Sequence, residues 1–86
     1  MVTMEEAENK VKEYVISHVK EADPATITMS SSLKNLGTLL IYEITGKITD
    51  KFQLGKIRLG KKTYNFVVKV AVDGEHAGQI MEQHIQ

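Results

Sequence analysis

There is no cysteine among the 86 residues. Disulfides and thiolate metal sites are therefore excluded, and packing and hydrogen bonds alone must hold the core. Long apolar runs are also missing. The longest strongly apolar stretches are "LLIY" and "FVV", far short of the ~20 residues a membrane-spanning helix needs. The first ten residues, "MVTMEEAENK", place acids where a secretory signal needs cations and an apolar run. These absences lead to the expectation of a cytoplasmic protein with no membrane partner. The length fits one small α+β domain over residues 1–86. A chain this size buries roughly 60% of its unfolded surface, so its core is modest.

The formal net charge is zero but unevenly spread. Met1 to Pro24 has six acids and three lysines, −3; Ala25 to Val72 has eight cations and two acids, +6; Asp73 to Gln86 has three acids, −3. A basic middle between acidic ends has two readings. Either the ends lie against a basic sheet, or the middle meets an anionic partner. The first is preferred, because basic nucleic-acid domains usually carry net positive charge.

Thr3 to Ala22 reads as an amphipathic helix. Thr3 and Glu6 have the spacing of a capping box, and Glu5, Glu6 and Glu8 suit the positive end of the helix dipole. Met4, Ala7, Val11, Tyr14, Val15, His18 and Ala22 fall on one side at helical spacing. Glu6–Lys10 and Glu8–Lys12 are i,i+4 pairs in the favourable order. Pro24, the only proline, is expected to stop the helix.

Beyond Pro24 the period changes to two. "ATITMS" alternates, with Ile27 and Met29 on one side, and "SSLKNLG" reads as a polar turn. "TLLIYEITGKIT" is a long strand with Leu40, Tyr42, Ile44 and Ile48 on one face. Leu39 and Ile41 sit on the other face, which becomes polar at Glu43, Thr45 and Lys47. "TYNFVVKVAV" puts Tyr64, Phe66, Val68, Val70 and Val72 on a face suited to burial under the helix. Val11 and Val15 are expected to face Val68 and Val70. Asp73-Gly74 suits a type I′ turn. Ala77, Ile80, Met81, His84 and Ile85 fit a helix, but Gly78 and the Asp-Gly turn favour a C-terminal strand. The sum is one helix packed on an antiparallel sheet of four or five strands.

The segment "DKFQLGKIRLGKKTYNFVVKV" invites two motif readings. Gly55 to Lys61 matches G-x-x-x-x-G-K, but Lys62 stands where a phosphate-binding loop needs a hydroxyl, and a strand follows where it needs a helix. The better reading is a hairpin turned at Gly60, Lys61 and Lys62 between "KFQLGKIRL" and "TYNFVVKV". Lys62, Tyr64, Phe66 and Val67 also match part of an RNA-recognition strand motif. Tyr64 and Phe66 share a face with three valines, however, and bases need exposed aromatics.

Catalysis has little support. His18, His76 and His84 have no metal-ligand spacing, with His18 read as a histidine at the core margin and the other two as surface residues. Ser30 to Ser32 have no identified base, and Asp50, Asp73, Glu75 and Glu82 show no pairing. No cofactor and no enzyme activity are expected.

The order of elements, with "EEAENKVKEYVISHV", then "LLIYEITGK", "YNFVVKVAVD" and a closing "GQIM", resembles PepSY-type domains within the cystatin-like class. Two departures are "ITDKFQLGKIRLGKK", longer than the tight hairpin of that family, and Asp73 to Gly78, one residue longer than its usual turn. The resemblance implies a non-catalytic module that binds protein or regulates peptidases. It carries over no site residues.

The leading expectation is thus a small protein-binding or regulatory domain, with self-association as one outcome. Leu39, Ile41 and Val67 supply apolar groups to the sheet face away from the helix, where an antiparallel sheet is normally polar. The second expectation is a nucleic-acid binder using Lys47, Lys51, Lys56, Arg58, Lys61 and Lys62 at a basic hairpin.

Overall fold

The computed structural model describes residues 1–51 and 62–86. One helix, α1 (Met4–His18), precedes four strands: β1 (Ala22–Asn35), β2 (Leu40–Asp50), β3 (Thr63–Ala71) and β4 (Ile80–Ile85). The strands form an antiparallel meander in the order β1-β2-β3-β4. The α+β sandwich read from the sequence is the observed architecture, and its C-terminal segment is a strand.

The capping box forms. Thr3 Oγ1 accepts from the Glu6 N–H at 3.1 Å, and Glu6 Oε1 accepts from the Thr3 N–H at 3.4 Å. Neither expected ion pair forms on α1, because Glu6 turns back to Thr3 and Glu8 accepts from Ser31 Oγ at 2.9 Å. The helix ends at His18, four residues before the expected Ala22. Val19 caps it, its N–H bonded to Val15 O at 2.9 Å. Ala22 is already in the sheet, buried and paired with Asp50. Burial in the sheet outweighs one more helical turn. Pro24 is consequently not the stop. It lies in an irregular part of β1, between Asp23 and Thr28, where the ladder shifts and no backbone donor is required of it. Thr26 fills the gap, its Oγ1 accepting from the Thr49 N–H at 2.9 Å.

The core lies between α1 and one face of the sheet. Ala7, Val11 and Val15 pack with Ile44, Ile48, Phe66, Val68 and Val70, all buried. Each such Val, Ile or Phe contributes about 1.5–3 kcal/mol of transfer free energy. The period-two reading of β3 placed these side chains correctly. Gly46 is opposite Phe66 in the ladder, and the Phe66 ring covers it. An added Cβ at Gly46 would collide with the Thr28 carbonyl oxygen and lie 2.5 Å from Phe66 Cζ.

Two turns differ from expectation. The segment "SSLKN" is strand, so Ser30 to Ser32 are not in a turn. The turn lies at 36–39, closed by Leu36 N–H to Leu39 O at 2.8 Å. Asn35 Oδ1 accepts from the Gly37 N–H at 2.9 Å. Gly37 has φ +89° and Thr38 does not have positive φ, the pattern of a type II′ hairpin. By contrast, Asp73-Gly74 is not a type I′ turn, which requires positive φ at both central residues; only Gly74 has it. The β3–β4 connection instead runs through Val72 to Gln79, where Gly78 N–H donates to Ala71 O at 2.8 Å. The hairpin expected at Gly60, Lys61 and Lys62 lies outside the described residues apart from Lys62. Over the described residues β3 pairs with β2 on one side and β4 on the other.

Candidate interaction site

β1 and β4 form the two edges of the sheet. β1 is fourteen residues long, and from Ala25 to Leu33 it carries no charged side chain. Thr26, Ile27 and Thr28 suit an extended chain, and the alternation sorts the side chains between the faces. Met29, Ser31 and Leu33 oppose Gly46, Ile44 and Tyr42, so their side chains lie on the α1 face. Ser31 reaches Glu8 there, and Met29 packs against the core.

Backbone direction along β1 follows from its turn. In an antiparallel pair, alternate residues bond to the neighbour and the others point away. Leu36 N–H donates to Leu39 O, and Leu40 O turns to β3, where it accepts from Val72 N–H at 3.0 Å. The even-numbered residues of the regular ladder therefore bond to β2. Met29, Ser31 and Leu33 turn their N–H and C=O groups to the open edge. Leu33 is 55% exposed and Leu36 is 61% exposed at the adjoining turn. Among the described residues, an unpaired backbone row thus borders two exposed leucines.

The apolar back-face patch expected at Leu39, Ile41 and Val67 is not a continuous surface. Ile41 is only 2% exposed, in a central strand between Lys34 and Ala71, and Leu39 is half-buried. Val67 is 36% exposed but stands four residues along β3 from Ala71, roughly 13 Å away. Glu43 and the Lys69–Glu82 pair, 2.9 Å apart, occupy the same face between them.

The basic set is not brought together among the described residues. Lys47 is on the face away from α1, opposite Asn65. Lys51 is exposed at the end of β2. Lys62 has its Nζ 4.7 Å from the centre of the Tyr64 ring, on the other face. Lys56, Arg58 and Lys61 lie outside the described residues. The buried Asp50 joins the start and end of that connection: Lys62 N–H donates to its Oδ2 at 3.3 Å, and its own N–H donates to Lys62 O at 3.1 Å.

The histidines stand apart. His18 is exposed rather than at the core margin. It stacks on Tyr14 at 4.0 Å, with Nδ1 2.9 Å from Tyr14 O. His76 pairs with Gln79 in the β3–β4 connection, and His84 is exposed on β4. Among the described residues no three His, Asp or Glu side chains converge as metal ligands. No helix there is long and apolar enough to cross a membrane. An open cleft of about 620 Å³ lies beside α1, opposite to its β1 side, between Tyr14, His18, Lys62, Tyr64 and Ile85. Its lining holds two lysines, Lys20 and Lys62, with the Glu21 carboxylate, one imidazole and two phenols.

Leu33, Leu36 and the β1 edge were not singled out from the sequence. The signal was present: "NLGT" has Asn and Gly in hairpin positions, and "TITMSSSLK" and "LLIYEITG" alternate on either side. No family model, no curated protein and no solved structure matches the chain.

Proposed function

We propose that this is a non-enzymatic domain that binds protein through the open edge of β1 and the adjoining turn. The observation that carries the reading is a fourteen-residue strand that, among the described residues, is bonded on one side only and is uncharged from Ala25 to Leu33. Soluble proteins guard such edges with charge, proline, bulges or shortness, because unpaired backbone groups template a further strand. Here the proline and the ladder shift guard only the part of β1 before Thr28. The remainder offers main-chain hydrogen bonds for affinity and Leu33 and Leu36 for selectivity. A protein-binding role is also what the resemblance to PepSY-type domains implies.

The test is photo-crosslinking from position 33 in the cells that make the protein, with position 75 on the β3–β4 connection as the control. The expected result is a saturable protein adduct from position 33. Unlabelled chain competes it away, and Leu36→Lys weakens it. Equal labelling from positions 33 and 75, with no competition, would overturn the reading.

A further inference from the structure

We infer that the strand received by β1 is β1 of a second copy, paired antiparallel about a two-fold axis at Ser31. The inference rests on the protein-binding reading and names its partner. Met29, Ser31 and Leu33 direct their N–H and C=O groups outward. A two-fold axis at Ser31 sets Ser31 against its own copy and Met29 against the partner's Leu33. Each facing pair exchanges two hydrogen bonds, giving about six in all. The same register places the exposed Leu33 beside the partner's Met29 on the α1 face, an apolar cross-strand pair made twice. On the opposite face Ser30 meets the partner's Ser32, and Thr28 meets the partner's Lys34. No like charges oppose one another along the strand. Other symmetric registers set Leu33 against a serine, run it into the irregular segment before Thr28, or leave only a short ladder.

The arrangement has one identifiable cost. Glu8 accepts from Ser31 Oγ at 2.9 Å, so the axis brings two Glu8 carboxylates toward each other. Removing that charge while keeping the acceptor should therefore strengthen the pairing. The resulting assembly is an eight-stranded sheet with both helices on one face. The long open edge is closed, and the two short β4 strands are left outermost.

The chain has no cysteine, so one introduced cysteine can crosslink only between copies. Hydrogen-bonded antiparallel partners have Cα atoms about 5.5 Å apart, within disulfide range. Under mild oxidation Ser31→Cys should give a disulfide-linked dimer, while Thr38→Cys, at the turn far from the axis, should stay mostly monomeric. Sedimentation equilibrium should show wild-type dimers. Leu33→Lys and Ser31→Pro should each weaken them by about tenfold or more, and Glu8→Gln should tighten them. Ser31→Pro keeps the monomer fold because its lost N–H pointed outward. Circular dichroism confirms that fold, and the exposed Leu33 supplies a second, independent variant.

A wild-type chain monomeric at roughly 500 μM, weaker than most specific self-association, would overturn the inference. So would dimers indifferent to Leu33→Lys and Ser31→Pro, or equal crosslinking at 31 and 38. A monomer that still gives a saturable adduct with a different protein from position 33 removes self-pairing and leaves the binding reading standing. Absence of any such adduct removes both.

Discussion

β1 and β4 close the same sheet on opposite sides and are built in contrasting ways. β4 has six residues, a ladder shift opposite Lys69 and Val70, and Glu82 and His84 along it. It is short, kinked and charged, and each property discourages a further strand. β1 has fourteen residues, and its regular part, Thr28 to Asn35, has a single charge, Lys34. One meander thus holds a guarded edge and an open one. Edge exposure here is a local property set by length, charge and register, and it does not follow from the fold class.

The largest expected effect lies where β1 is anchored to the core. Gly46 lets the Thr28 carbonyl and the Phe66 ring approach together, and a methyl group there meets both. Backbone cannot swing aside as a flexible side chain does, so either β1 or Phe66 must shift. Gly46→Ala should cost about 3 kcal/mol, at the upper end for overpacking, in urea denaturation. Thr45→Ala beside it, with a long 3.4 Å bond to Ser30 O, should cost less than about 0.5 kcal/mol. Equal costs would mean that β1 is held elsewhere.

A smaller effect separates the two sides of β1 itself. Ser32 turns its backbone to β2, and Ser31 turns outward. Ser32→Pro removes a ladder donor and leaves a β2 carbonyl unpaired, for an expected loss of about 2 kcal/mol. Ser31→Pro loses no ladder bond and gives up only the Ser31 Oγ–Glu8 bond, so it should cost the monomer less, about 1 kcal/mol. Thermal melts of both variants at a concentration low enough to dissociate any dimer decide the matter. A larger loss from Ser31→Pro would reverse the assigned direction of the edge.

Much of this was legible in the residues. The capping box at Thr3 and Glu6 is local, and both of its bonds form as their spacing implies. The alternation in "TYNFVVKVAV" is unbroken, so its buried face was readable, as was the meander that follows. The end of α1 was not. Helical spacing continues through Ala22, and only pairing with Asp50, 28 residues away, draws Ala22 into the sheet. The extent of β1 was missed for a related reason. Three serines and a lysine look like a turn, and they are extended because Thr45, Ile44, Glu43 and Ile41 hold them in register. The back-face patch failed on a distance that alternation cannot supply. Period two puts Ile41 and Val67 on one face but says nothing of the Lys69–Glu82 pair between them. Sequence period fixes the face, whereas register fixes the neighbours, and a surface site depends on neighbours.

The smallest expected effect concerns how β4 is guarded. The Lys69 pKa is raised, first by the hydrogen bond its ammonium gives Glu82 and then by the charge of Glu82; burial opposes this, and the charge of Glu43 adds a still smaller push upward. A raised folded-state pKa means the folded chain holds this proton more tightly than the unfolded chain. The resulting stabilisation is fully present below the ordinary lysine value of 10.5 and is lost as pH rises through the folded value. The stability difference between wild type and Lys69→Met should therefore be flat from about pH 6 to pH 9 and shrink above about 10.5. Added salt should reduce it as well, since Glu82 is 66% exposed. A difference that grows with alkali would contradict the assignment. Glu82→Val then asks what guards the edge. If shortness and the ladder shift suffice, this uncharged β4 gains no tendency to associate in sedimentation, and Leu33→Lys remains dominant. Association that appears with Glu82→Val and persists with Leu33→Lys would show that charge alone kept β4 closed, and that the two edges differ in fewer respects than their lengths suggest.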